Sequence, residues 1–157
     1  MTDATFEDGA ERPVRLIAAE ADDLKVISAL VQDAVLTGGD ITWSRKRRQF
    51  ALLINRFRWE DRDAAARMNR PVERVRAMLV IDDALAVRAA GITPGEKDVV
   101  LSLLSIEHTG GEDGSATLTL IFAGDGEIAI DVEAINLTLA DVTKPYRAPS
   151  GKTPSHD

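Results

Sequence analysis

The chain contains no cysteine in its 157 residues. Disulfides, thiolate nucleophiles, zinc–thiolate centres and iron–sulfur clusters are therefore excluded. Histidine is nearly as scarce: only His108 lies in the body of the chain, and His156 stands close to the C-terminus. One imidazole cannot build a histidine-rich metal site, and it serves as a general base only beside a carboxylate partner. His108 is read as a surface residue at a strand end before Gly110-Gly111. Long apolar runs are missing too. Stretches such as residues 78–81 are a few residues long, whereas a membrane-spanning helix needs about 20. The opening MTDATFEDGAERP is acidic and lacks an apolar h-region, so no secretory signal is read there. No Gly-x-Ser-x-Gly, Walker A, Gly-x-Gly-x-x-Gly or His-Glu-x-x-His motif occurs. These absences point to a cytoplasmic protein with no membrane partner, no metal, no cofactor and no catalytic residue.

What is present is an ordinary globular composition, 45% apolar and 29% charged. It predicts one domain over residues 14–143, between flexible tails at 1–13 and 144–157, with Tyr146 docked on the body. Residues 14–18 read as a short strand. Asp22 then caps a helix whose apolar face is Leu24, Ile27, Leu30, Val31, Ala34 and Val35, ended by Gly38-Gly39. Ile41 and Trp43 lead into a polar connection at 44–49, and residues 50–59 return as the second strand of a hairpin. Phe50, Leu52 and Ile54 share one face of it and Ala51, Leu53 and Phe57 the other, as expected of a central strand covered on both sides.

Residues 60–70 read as a loop or short helix. Val75, Ala77, Leu79 and Ile81 alternate, and the phase resumes at Leu85 and Val87 across Asp82-Asp83, a tight turn or the bend of one long strand. Residues 98–106 fit either a helix or a strand. Ala116, Leu118, Leu120 and Phe122 form a strand, Gly124-Asp125-Gly126 a hairpin turn, and Ile128, Ile130 and Val132 the return. Ile135, Leu137 and Leu139 change phase by one, which suggests a bulge or bend near Ala134. Glu112-Asp113 and Asp125/Glu127 thus fall at opposite ends of one strand and cannot share a calcium ion.

At an offset of 74 residues, Val26-Ile27-Ser28-Ala29-Leu30 falls on Val100-Leu101-Ser102-Leu103-Leu104. One reading therefore divides the domain into two β–α–β–β units, 14–75 and 76–143, and makes 98–106 a second helix. The fold class expected is α+β: an antiparallel sheet with one or two packed helices. The alternative is a helix-capped β-barrel similar to pleckstrin-homology folds.

The net charge of −7 is unevenly distributed. Residues 41–76 hold eleven Lys/Arg and four Asp/Glu, a local +7, which leaves −14 for the rest. Within that stretch Trp43, Arg45, Lys46, Arg47, Arg48, Arg56, Arg58, Trp59 and Arg62 interleave cations with aromatics, the chemistry that holds phosphates and stacks bases. They are the candidate ligand- or partner-binding residues. The competing readings are a solvated, aggregation-resistant hairpin and, for Arg56, a bidentate pair with a carboxylate.

The segments 23–24, 26–30, 32–35, 50–60 (Phe-Ala-Leu-Leu-Ile-Asn-Arg-Phe-Arg-Trp-Glu), 99–107 and 122–124 resemble an uncharacterised alphaproteobacterial family, domain of unknown function 2948. The resemblance implies a bacterial cytoplasmic protein and supplies no catalytic residue. The function expected is a non-enzymatic binding or adaptor module whose partner is another protein or a second copy, as a homodimer. The alternatives are RNA binding through the basic hairpin 43–62, and a small-molecule enzyme with an arginine/carboxylate cleft.

Overall fold

Alternating apolar side chains turn about half of the described residues into strands, in a computed structural model that describes residues 13–93 and 95–146. The strands are β1 (Arg15–Ala18), β2 (Ala34–Thr37), β3 (Ile41–Ser44), β4 (Gln49–Phe57), β5 (Arg74–Ile81), β6 (Ala84–Ala90), β7 (Val100–Gly110), β8 (Ala116–Phe122), β9 (Glu127–Val132) and β10 (Leu137–Asp141). Helix α1 (Ala21–Leu30) joins β1 to β2, and α2 (Arg62–Arg67) lies between β4 and β5. The sheet runs β1-β10-β5-β4-β2-β7-β8-β9-β6, with β3 added to β4 off this path. Mostly antiparallel sheet with two short helices is the expected α+β class. The barrel alternative requires closure, and among the described residues no strand pairing closes the sheet.

Strand β4 organises the middle. One edge carries β5 along its whole length, from Phe50↔Ile81 to Phe57↔Arg74. The other edge is shared: β3 takes the first half, from Ser44↔Gln49 to Ile41↔Leu52, and β2 meets it at Val35↔Asn55. Phe50, Leu52, Ile54 and Arg56 point into the core, while Ala51, Leu53 and Asn55 are only half-buried on the outer face. Leu79, Leu103, Leu118, Ile130 and Leu139 join one apolar cluster with Leu24 and Ile27 of α1. Each such side chain contributes about 1.5–3 kcal/mol by burial. A second, smaller cluster of Phe57, Ala65 and Val72 sits under Trp59.

Several local expectations are corrected. The cap of α1 is Glu20, reciprocally bonded with Asp23, and Asp22 lies in the first turn. The helix stops at Leu30, not at the glycine pair. Asp33 adopts φ 65° and donates its N–H to the Leu103 carbonyl at 2.7 Å, and the chain leaves as β2. The spacing of Val31, Ala34 and Val35 imitated a helix because a helix end and a strand start adjoin there. Gly38 answers a different demand: a Cβ on it would clash with the Glu96 carbonyl oxygen.

Asp83 at φ 57° makes Asp82-Asp83 a turn between two strands, β5 and β6. Val100–Gly110 is strand β7, so the second helix that a duplication requires is absent from that position. The phase change near Ala134 reflects a connection: β10 leaves β9 and pairs with β5 and β1. Tyr146 does dock, bridging to Arg74. The rest of the two tails, residues 1–12 and 147–157, lies outside the described residues.

Candidate partner-binding site

The basic stretch does not form one patch. Arg48 and Arg56 are eight residues apart along an extended strand, or about 26 Å at ~3.3 Å per residue. Trp43 and Arg45 to Arg48 belong to the β3–β4 hairpin, whereas Arg56 lies at the far end of β4, Arg58 and Trp59 in the turn after it, and Arg62 at the start of α2.

At the hairpin, Arg48 takes φ 52° and returns its N–H to the Arg45 carbonyl, while the Ser44 hydroxyl accepts the Arg47 N–H at 3.2 Å. This tight tip leaves Arg45, Lys46, Arg47 and Arg48 exposed. Arg48 donates to Glu133 at 3.0 Å. Arg45, Lys46 and Arg47 have no ion pair among the described residues.

Beside the hairpin the curled sheet leaves a cleft. Among the described residues, β3 pairs on one edge only, with β4, and β6 on one edge only, with β9. The two are tied at the hairpin end, where the Ala84 N–H donates to the Arg48 carbonyl at 2.9 Å. Beyond that tie lies a pocket of about 430 Å³ lined by Ile41, Trp43, Phe50, Val87, Ala89 and Gly95. A register shift between Ala84 and Ala86 turns Val87 toward it. The outer wall is braced by Arg88, bidentate on Asp131, which also accepts from Thr117 at 2.8 Å. The Arg88 and Thr117 hydrogen bonds hold the Asp131 carboxyl below its ordinary range.

At the other end of β4, Arg56 is completely buried. Its Nε and Nη2 donate to Asp141 at 2.9 Å each, Nη1 and Nη2 to Glu60 at 2.9 and 2.8 Å, and Nη1 to the Phe57 carbonyl at 3.1 Å. All five guanidinium donors are thus matched. Asp141 also accepts the Val14 N–H at 2.8 Å, so the knot ties β1, β10, β4 and the turn after β4. Burial pulls the Arg56 pKa down, but the hydrogen bonds and charges of Glu60 and Asp141 outweigh it and raise the net value. Burial alone would raise the Glu60 pKa; Arg56 outweighs it and holds the carboxyl below its ordinary 4.5.

Arg58 is likewise buried, 3.0 Å from Glu73 and 3.6 Å from Asp61, and Arg70 reaches Asp61 at 2.7 Å. Trp59 donates its indole N–H to the Gln32 carbonyl at 2.8 Å and stacks near Phe57. The Arg62 guanidinium lies 6.0 Å from the Trp59 ring centroid.

The structure thus groups Trp43, Arg45, Lys46, Arg47 and Arg48 at an open cleft, and engages Arg56, Arg58, Trp59 and Arg62 with groups of the fold itself. Sequence reasoning missed Val87 and Ala89, because a cleft between strands distant along the chain leaves no local signature. It also missed Asp141, 85 residues from Arg56. His108 is exposed on β7. Among the described residues no group of three or more His, Asp or Glu is gathered as a metal site would need, and no helix is long and apolar enough to cross a membrane.

Comparison with curated proteins and with solved structures gives no match. Residues 14–156 match the family model described as protein of unknown function (DUF2948). That is nearly the whole chain, and the chain belongs to that family.

Proposed function

We propose that the chain is a non-enzymatic protein-binding module whose recognition site is the cleft between β3 and β6. The observation that carries this reading is the cleft itself: two strands whose facing edges are unpaired among the described residues flank an apolar floor that includes Trp43 and Phe50. An unpaired edge offers main-chain hydrogen bonds to an added strand, and alternate side-chain pockets supply specificity. The floor lacks a titratable or nucleophilic side chain, which weighs against chemistry there.

Nucleic acid is less well served. Arg56 and Arg58 are spent on carboxylates, the two tryptophans lie at opposite ends of β4, and the chain carries −7 overall. The arginine/carboxylate cluster is also a poor enzyme site, since every Arg56 donor is already matched.

The test is selection from a displayed peptide library on the full chain and on Ala89→Trp. Ala89 is exposed at the cleft mouth, so the indole plugs the cleft without removing a core contact. Wild type is expected to enrich a short common motif and Ala89→Trp to lose it. No enrichment on wild type, or equal enrichment on both, contradicts the reading. Light scattering at tens of micromolar separates a second copy from a foreign partner: a dimer that Ala89→Trp dissociates identifies self-association through the cleft.

A further inference from the structure

Resting on that protein-binding reading, we infer that the occupant of the cleft is a short extended segment of a partner protein, carrying carboxylates where it passes the hairpin, which adds to the free edge of β3. Strand β3 is four residues, Ile-Thr-Trp-Ser, and carries no proline, bulge or charged side chain, so its shortness is the one edge-blunting device within it. Pairing along it covers about 13 Å at ~3.3 Å per residue. The occupant's inward side chains are apolar, because they would meet Ile41, Trp43, Phe50 and Val87.

Unpaired positive charge around the cleft is concentrated at the hairpin. At the hairpin end Arg45, Lys46 and Arg47 stand exposed with no ion pair among the described residues. At the Ile41 end, Gly38 and Gly39 bring up the backbone of Glu96 and Lys97, and the Asp40 carboxylate accepts from the Thr37 N–H and hydroxyl. The hairpin end therefore offers three cations unpaired among the described residues, while the nearby carboxylates of Asp82 and Glu133 already accept from Gln49 and Arg48. A polypeptide with carboxylates on one side of an apolar core matches the apolar lining and the exposed cations of the hairpin. The Ala84–Arg48 tie closes the cleft at the hairpin, so the apolar part of the occupant ends where the cations begin.

The experiment is the same display selection, run on wild type and on the triple reversal Arg45→Glu, Lys46→Glu, Arg47→Glu. These side chains are exposed and outside the core, and circular dichroism checks the fold. Wild type is expected to enrich apolar motifs flanked on one side by Asp/Glu, and the reversed variant motifs flanked by Lys/Arg. A wild-type peptide should bind the variant about tenfold or more weakly and should weaken with salt. N-methylation of alternate residues should abolish binding in one phase only, the phase that pairs with β3.

Motifs with no acidic bias, or a bias unmoved by the reversal, overturn the inference while the protein-binding reading stands; the cations then merely deter aggregation. Binding insensitive to N-methylation overturns strand addition. Absence of any motif overturns both readings. Displacement of the peptide by a single-stranded oligonucleotide at low salt, with tighter binding of that oligonucleotide, overturns the inference in favour of nucleic acid.

Discussion

Arg56 is the residue on which the far half of the molecule turns. A guanidinium with all five donors matched tolerates no partial replacement. Arg56→Ala would strand Asp141, whose side chain is 3% exposed, as an uncompensated buried charge. The expected loss is about 3–5 kcal/mol in denaturant unfolding. Arg56→Lys should recover little of it, because an ammonium cannot serve two carboxylates and a carbonyl at fork geometry. Recovery to near wild type would show that the knot is dispensable. Glu60 adds a pH signature. Its folded pKa lies below the ordinary value of 4.5, so its contribution is full above that value and lost as pH falls through the folded pKa. Glu60→Gln is expected to be about 1–2 kcal/mol less stable than wild type near neutrality. The gap should narrow below pH 4.5, and a gap independent of pH would contradict the assignment. Arg56 was legible in the sequence as a candidate for a carboxylate pair. Its partner Asp141 was not, since only the β10–β5–β4 pairing brings residue 141 beside it.

At the scale of elements, the strands with strict alternation were readable and the transitions were not. Val75 to Ile81 and Ala116 to Phe122 alternate without interruption and are strands β5 and β8. Residues 31–37 misled because Val31, Ala34 and Val35 keep helical spacing while Ala34 and Leu36 alternate as a strand does. Asp33 at φ 65° decides between them, and nothing local announces a left-handed aspartate. The glycine pair was read as a helix stop and is a close approach instead. Gly38→Ala would press a methyl against the Glu96 carbonyl and force backbone to move. The expected cost is about 1–3 kcal/mol in thermal or denaturant unfolding. A neutral result would mean that the 95–98 connection yields freely.

Taken whole, the molecule explains its own charge asymmetry. The +7 carried by residues 41–76 divides between the two ends of β4. Arg56, Arg58 and Arg70 are answered by Glu60, Asp61, Glu73 and Asp141 and support the fold. Arg45, Lys46 and Arg47 are left beside the place where the sheet fails to close. A sequence can show that a segment is basic; it cannot show which cations are spent internally, because their partners lie on other strands. Hydrogen–deuterium exchange locates the partner-binding edge directly. With a peptide enriched on wild type, the amides of Ile41–Ser44 should gain protection, while those of residues 57–62 at the Arg56 end should not change. Protection centred on residues 57–62, or none at β3 despite saturation by the peptide, would contradict the account.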